Sequence, residues 1–303
     1  MSAEEMKSIR ALLAASGGAS GLTIEQRRAA MQGMTDTLPV PANTEVRTVT
    51  EPAPGDWLTV PESRPDRTIL YLHGGAYIAG SPSTHTSLVS AICTASNARA
   101  FVAKYRLAPE HPFPAAVDDA VAAYAALLES TEMVEFGDRA ANHIVVAGDS
   151  AGGGLTVAML VRARELGMPM PASAVCMSPW ADLSCSGIGY ETRAKSDPIT
   201  DGSNILSLAN IYLNGAANDT PLASPVYADL SGLPPMLIQA GGDEVLVGDA
   251  FLLEARAHQV GVSATLEVWA DMVHVWHAFH PMLSEARDAI AGIGRYLESR
   301  WPS

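Results

Sequence analysis

Residues 143–154 read HIVVAGDSAGGG and indicate the fold class. It begins with a short run rich in β-branched and apolar residues, which is typical of a strand buried on both faces of a sheet. The segment after the glycines, LTVAMLVRARELG at 155–167, has the apolar spacing of a helix. Ser150 is therefore predicted to lie in a tight turn between a strand and a helix.

The residues Gly148 to Gly152 fit the pattern Gly-x-Ser-x-Gly, which is typical of a nucleophile elbow. Small neighbours allow the backbone to turn sharply and to expose the serine hydroxyl. The following helix directs free N–H groups and the positive end of its dipole toward the space in front of the serine. A glycine-rich turn of this kind can also hold a phosphate. The strand–turn–helix context favours Ser150 as a catalytic nucleophile.

From Arg67 onward, segments with the character of strands alternate with helical segments. This order predicts an α/β fold with a mostly parallel sheet and helices on both faces. A hairpin is expected over 45–60, and the helix predicted at 23–34 begins with a capping box formed by Thr23 and Gln26. Strands are predicted at 68–72, 98–103, 143–147, 173–177, 235–240 and 264–269. Further helices are predicted at 2–15, 115–130, 155–167, 248–261 and 284–301.

Two parts of the chain interrupt the alternation. Residues 1–45 carry two helical segments, and residues 184–214 contain a predicted helix over 202–213 but no clear strand. We expect both to form a small helical cap above the carboxyl ends of the strands, where ligands bind in open α/β sheets. The α/β core would then comprise residues 46–183 and 215–303.

Composition excludes several classes of function. The chain has 303 residues and a formal net charge of −14, which argues against binding to nucleic acid or to an anionic membrane surface. No apolar run is long enough to span a bilayer. The three cysteines, Cys93, Cys176 and Cys185, lack the spacing of metal ligands, and their odd number favours a reducing, cytoplasmic location without a disulfide framework. We expect no cofactor and no metal.

A serine hydroxyl needs a base within hydrogen-bonding reach and a third group that orients the base. His274 and His277 follow the last predicted strand, where the chain order Ser, acid, His would place the base. We predict His274 as the base and keep His277, one helical turn later, as the alternative. A metal site at these two histidines is disfavoured because no third ligand has suitable spacing.

The orienting acid should lie between Ser150 and His274 on another loop at a strand end. Asp243 follows the strand at 235–240 directly, and two glycines precede it, so it is the predicted acid. Asp182, after the preceding strand, is the main competitor. Glu244 and Asp271 are less favoured, the first because it is the neighbour in the same turn and the second because it shares the loop of the histidine.

The segment LHGGAY at 72–77 follows an earlier strand and supplies candidate donors for an oxyanion hole. A tetrahedral intermediate carries negative charge on the former carbonyl oxygen, and preorganised backbone N–H groups stabilise that charge. We predict the amides of Gly74, Gly75 and Ala151 as these donors. A simple tight turn is the alternative interpretation.

Together these motifs resemble the hormone-sensitive-lipase-like, or family IV, bacterial esterases of the α/β-hydrolase superfamily. The stretches that carry the resemblance are HGGA at 73–76, YRLAPEHPFPAAVDD at 105–119, GDSAGG at 148–153, LPPMLIQAGGDEVL at 233–246 and MVHVWH at 272–277. The resemblance implies an eight-stranded core, a cap formed by the N-terminus and an insertion, and a Ser150–His274–Asp243 triad. It also allows a homodimer.

Two departures from the family pattern bear on the site. The usual HGGG is HGGA here, which leaves open which two of Gly74, Gly75 and Ala76 supply oxyanion amides. The usual Asp-Pro-Leu after the acid strand is Asp243-Glu244-Val245, which keeps an aspartate but weakens the local match.

The expected function is a serine carboxylesterase that hydrolyses short- to medium-chain esters of small molecules. Its substrate pocket is expected to include Tyr77, Trp180 and Leu208. A lactone hydrolase acting on cyclic or terpenoid esters would use the same residues and is the first alternative. A non-catalytic small-molecule receptor is the second, although such receptors usually lack a member of the triad.

Overall fold

The computed structural model describes residues 2–15, 21–194, 196–200 and 204–302. Within these ranges eight strands form one sheet. The strands are β1 (Glu45–Val49), β2 (Gly55–Thr59), β3 (Thr68–Leu72), β4 (Arg99–Ala103), β5 (Ile144–Asp149), β6 (Ser173–Met177), β7 (Met236–Gly241) and β8 (Ala264–Trp269).

The strand order is β1-β2-β4-β3-β5-β6-β7-β8. β2 runs antiparallel to β1 and to β4, and every other neighbouring pair is parallel. The predicted fold class, an eight-stranded and mostly parallel sheet flanked by helices, is confirmed. The carboxyl ends of β3, β5, β6, β7 and β8 meet at one edge, so the loops that follow them are brought together.

The described helices agree with most of the sequence predictions and add α3, which the apolar pattern did not indicate. In α3 several serines and threonines are buried, so its inner face reads as polar in the sequence. A capping box between Ser81 and Thr84 begins this helix. The helices are α1 (Ser2–Ala15), α2 (Ile24–Thr35), α3 (Pro82–Ser96), α4 (Ala115–Leu128), α5 (Ala151–Glu165), α6 (Gly189–Thr192), α7 (Ile205–Leu213), α8 (Val247–Gln259) and α9 (Ser284–Glu298).

The sheet is covered on both faces because alternate side chains of each strand point in opposite directions. Leu70 and Leu72 of β3 pack on the side of α4, α5 and α8, whereas Ile69 and Tyr71 pack on the side of α3 and α9. The central strands are therefore apolar at consecutive positions, which is the pattern seen at 143–147 in the sequence.

A third apolar cluster lies away from the sheet and involves α1. Met6, Ile9 and Leu13 pack against the loop that follows β8, where they meet Met272, Val273, Trp276, Phe279 and Leu283. Since each such side chain contributes about 1.5–3 kcal/mol when fully buried, the N-terminal helix is firmly attached to the loop that carries His274.

The segment between β6 and β7 contains α6, α7 and a short 3₁₀ helix at Pro225–Tyr227. The helix predicted over 202–213 corresponds to α7, and residues 202 and 203 of that prediction lie outside the described residues. Within the described ranges, no helix is both long enough and apolar enough to cross a lipid bilayer.

Candidate active site

Ser150 lies in the sharp turn between β5 and α5. Its backbone has φ 53° and ψ −123°, a conformation that residues with a Cβ rarely adopt. The turn leaves no room beside it: a Cβ on Gly148 would collide with the Gly152 carbonyl oxygen, and a Cβ on Gly152 would collide with that of Leu72. Both glycines of the elbow pattern are therefore sterically required.

Asp149, the neighbour of the serine, is buried and fixes the loop after β3. Its Oδ1 accepts hydrogen bonds from the Tyr71 hydroxyl at 2.8 Å and from the Gly74 N–H at 3.1 Å, and His85 Nε2 lies 3.3 Å away. Burial acts to raise the pKa of Asp149, but the charge and hydrogen bonds of its partners, His85 foremost, outweigh it and hold the pKa at about 2. A charged carboxylate thus ties the two loops together.

His274 lies on the loop after β8 and reaches the serine. Its Nε2 is 2.9 Å from Ser150 Oγ, and only 6% of the residue is exposed. Burial acts to lower the pKa of His274, but the hydrogen bond and the charge of Glu244 outweigh burial and raise it. The structure therefore brings together the nucleophile and the base that the sequence predicts.

The acid beside His274 is Glu244, and the prediction of Asp243 in this place is contradicted by the geometry. Glu244 Oε2 lies 3.1 Å from His274 Nδ1, and Glu244 is fully buried. The Asp243 carboxylate points elsewhere: its Oδ2 accepts a hydrogen bond from Arg10 at 2.6 Å, and its Oδ1 lies 3.7 Å from Arg193. The two acids are neighbours in one turn, and the structure directs one inward and the other toward the arginines.

The other candidates are held by different partners. His277 Nε2 lies 2.8 Å from the side-chain oxygen of Gln239, and burial lowers the pKa of His277 to about 3. Asp182 accepts hydrogen bonds from the backbone and hydroxyl groups of Ser184 and Ser186. Neither arrangement supplies a base or an acid to Ser150.

The backbone amides predicted as oxyanion donors are not all available in the structure. The N–H of Gly74 donates to Asp149, so it is not free to bind a substrate oxygen. Among the described residues, none accepts a hydrogen bond from the N–H of Gly75, Ala76 or Ala151. Gly75 and Ala76 have φ 119° and 54°, which turns the backbone of this loop sharply after β3. Of the three predicted donors, Gly75 and Ala151 remain, and Gly74 is excluded by its own hydrogen bond. Ala76 is a further candidate.

Two of the three predicted pocket residues, Tyr77 and Trp180, belong to an aromatic cluster, which we define as Tyr77, Trp180 and Tyr212. Tyr77 stacks on Tyr212 with ring centroids 3.8 Å apart, and its ring centroid lies 6.2 Å from that of Trp180. Leu208, on α7 like Tyr212, is half-buried and packs against the same core. The cluster joins α7 to the loops after β3 and β6.

Sequence reasoning underrated Glu244 and missed Arg10. Adjacent side chains in a turn project in different directions, so one of the pair Asp243–Glu244 must face away from His274. Asp243 faces outward to Arg10, which lies 233 positions away in the chain. A local sequence pattern carries no signal of that contact.

Comparison with known proteins identifies the family. The α/β hydrolase fold family matches residues 69–278. The chain belongs to the α/β-hydrolase family. An acetyl-hydrolase of Streptomyces hygroscopicus is 46% identical to this hydrolase over 255 residues, which cover 81% of this chain and 83% of the relative.

Two solved structures resemble this hydrolase over 99% of both chains with a TM-score of 0.92. The first, 44% identical, is the esterase EstE5 soaked with p-nitrophenyl butyrate. The second, 41% identical, is an esterase from the bacterial hormone-sensitive lipase family. The resemblance drawn from the motifs is thereby confirmed, and so is the predicted enzyme class, carboxylic ester hydrolase.

Proposed function

We propose that this hydrolase is a serine carboxylesterase that works through an acyl-enzyme, with Ser150, His274 and Glu244 as its triad. One observation carries the proposal. A continuous pair of hydrogen bonds links Ser150 Oγ to His274 Nε2 at 2.9 Å and His274 Nδ1 to Glu244 Oε2 at 3.1 Å. This is the arrangement that activates a serine for attack on a carbonyl carbon.

In the acylation step Ser150 Oγ attacks the ester carbonyl carbon while its proton passes to His274 Nε2. Glu244 accepts a hydrogen bond from His274 Nδ1–H, which fixes the tautomer and stabilises the imidazolium. The tetrahedral intermediate then collapses: the carbon–oxygen bond to the alcohol breaks, and His274 returns the proton to the leaving alkoxide. Water attacks the acyl-enzyme by the same sequence and releases the carboxylic acid and Ser150.

We assign the oxyanion hole to the backbone amides of Gly75, Ala76 and Ala151. The Ala151 N–H is the first of helix α5, where the helix itself supplies no acceptor. The dipole of α5 adds positive potential at the same point. Removal of one such donor typically lowers turnover about 10²- to 10³-fold. Because these donors belong to the backbone, Ala76 serves as well as the usual glycine.

For the substrate we propose small esters with short- to medium-chain acyl groups. The proposed pocket includes Tyr77, Trp180 and Leu208. The Trp180 N–H donates to the Ser150 carbonyl oxygen at 2.9 Å, and Leu208, half-buried on α7, packs against the same core. EstE5, one of the relatives, was soaked with an ester of butyric acid. We further propose that residues 1–45 and 184–214 form the cap over this site, with the remainder as the catalytic core.

The nucleophile is tested by covalent labelling together with substitution. The purified protein is treated with a serine-directed phosphonate and digested, and mass spectrometry locates the label. We expect the label on Ser150, and we expect Ser150→Ala to lose ester hydrolysis while keeping the thermal stability of the wild type. Label on another serine, or full activity of Ser150→Ala, would refute the proposal.

A further inference from the structure

Helix α1 is fixed in position at both of its ends. Its apolar face packs on the histidine loop through Met6, Ile9 and Leu13. Near its N-terminus, Glu5 accepts hydrogen bonds from the backbone N–H of Ser284 at 2.9 Å and from its hydroxyl at 2.6 Å, at the start of α9. Side chains on α1 therefore occupy defined places relative to the active-site loops.

Arg10 extends from α1 to three segments that surround the acid and the base. Its guanidinium donates to Asp243 Oδ2 at 2.6 Å, to the Ser196 carbonyl oxygen at 2.7 Å and to the Asp271 carbonyl oxygen at 3.2 Å. Asp243 precedes Glu244, and Asp271 lies three residues before His274. One side chain thus bridges the acid loop, the histidine loop and the segment between β6 and β7.

The backbone around Glu244 is held from both sides. The Asp243 N–H donates to the Met272 carbonyl oxygen at 3.1 Å, and the Ser196 hydroxyl donates to the Asp243 carbonyl oxygen at 3.2 Å. After the acid, the Val245 N–H donates to the buried carboxylate of Asp197 at 2.9 Å. These bonds fix the main chain, whereas the Asp243 carboxylate itself is bound by Arg10 at 2.6 Å and lies 3.7 Å from Arg193.

We propose that Arg10 is a positioning residue for His274 and Glu244. Arg10 holds the Asp243 carboxylate away from His274, so that Glu244 remains hydrogen-bonded to the imidazole. The inference rests on the proposed function. Without Arg10, the charged partner that the described residues leave to the Asp243 carboxylate is the more distant Arg193, 3.7 Å away. Once released from Arg10, the Asp243 carboxylate competes with the neighbouring Glu244 for the imidazole of His274. Its negative charge also repels the buried Glu244 carboxylate.

The test compares Arg10→Met with Arg67→Met. Arg67 is a matched control, because it too donates to a carboxylate, that of Glu298, and to a backbone carbonyl, that of Ser96. Arg67 lies just before the amino end of β3, whereas the active-site loops follow the carboxyl ends of the strands. For Arg10→Met we expect kcat to fall about ten- to a hundredfold with KM nearly unchanged, as for a misplaced catalytic group. Arg67→Met should lose stability but keep kcat.

Three further measurements distinguish a positioning role of Arg10 from a role in attaching helix α1. Arg10→Lys should recover part of the lost kcat, because an ammonium group can still pair with Asp243. In proton NMR the downfield signal of the His274 Nδ1–H should shift or broaden in Arg10→Met and stay unchanged in Arg67→Met. The double variant Arg10→Met/Asp243→Asn should recover most of the kcat lost in Arg10→Met, since no competing carboxylate remains.

The proposal is overturned if folded Arg10→Met keeps the kcat and NMR signal of the wild type, or if Arg67→Met loses as much kcat. It is also overturned if the double variant shows the full product of the two single effects. Should Arg10→Met not fold, Arg10→Lys and the double variant decide the question. Full activity of Glu244→Gln would instead refute the proposed triad, so the two failures are distinguishable.

Discussion

The nucleophile side and the acid side of this active site are built in different ways. Ser150 is presented by contacts between near neighbours, because Gly148, Gly152 and the end of β3 leave only one path for the turn. On the acid side, two carboxylates stand next to each other, and the one that reaches His274 is selected by a helix from the start of the chain.

This difference explains where sequence reasoning succeeds. The buried strand, the glycine pair and the helix of 143–167 lie in one continuous stretch, so local sterics predict the elbow. The choice between Asp243 and Glu244 depends on long-range packing of α1, and the turn that contains both acids does not reveal it. Function therefore depends on a local motif for the nucleophile and on tertiary contacts for the acid.

The largest expected effect concerns the histidine that both sides share. His274→Ala should lower kcat by about 10⁵- to 10⁶-fold, because the serine then has no base. His277→Ala removes the partner of Gln239 and should cost stability, about 1–3 kcal/mol, with much less effect on kcat. Steady-state kinetics and thermal unfolding of both variants provide the check. If His277→Ala is folded but inactive, the base is His277 and its assignment to His274 is wrong.

The pH dependence of kcat/KM tests whether Glu244 raises the pKa of His274. His274 must be neutral to accept the proton of Ser150, and its pKa is raised by Glu244. Activity should therefore fall as the pH drops through a midpoint above the ordinary histidine value of about 6.5. In Glu244→Gln the cause of the raised pKa is removed while burial remains, so the midpoint of the residual activity should move to lower pH. An unchanged midpoint would mean that another group sets the pKa.

The smallest effect is expected at the substrate pocket. Leu208→Ala enlarges the proposed acyl site, so the acyl length of maximal kcat/KM should increase, with a change of about fourfold per methylene, or about 0.8 kcal/mol. Leu206, an exposed leucine on the same helix, is the matched control. A series of p-nitrophenyl esters from acetyl to decanoyl gives the profile. Equal profiles for Leu208→Ala and Leu206→Ala would remove Leu208 from the pocket.

Point variants are needed for this series because the N-terminal helices cannot be deleted without other effects. A protein lacking residues 1–34 also lacks Arg10, so its acid loop would change together with any cover over the pocket. Changes in chain-length preference and in turnover could then not be separated.

Much of the fold was predictable, since β3, β6 and β8 have the bounds that the sequence indicates. Helix α3 was not, because its buried hydroxyl groups conceal the apolar periodicity. Within the site, Ser150 and His274 follow from strand ends and chain order. The oxyanion donors required the structure, because only the contact with Asp149 shows that the Gly74 amide is occupied.

In the proposed triad Glu244, and not its neighbour Asp243, orients His274. The most direct test measures kcat for Glu244→Gln and Asp243→Asn side by side with one ester substrate, after unfolding curves confirm that both are folded. We expect Glu244→Gln to lose about 10⁴-fold, because the histidine tautomer is no longer fixed, and Asp243→Asn to lose less than about tenfold. The reverse order, with Asp243→Asn nearly inactive and Glu244→Gln nearly normal, would show that Asp243 orients the histidine.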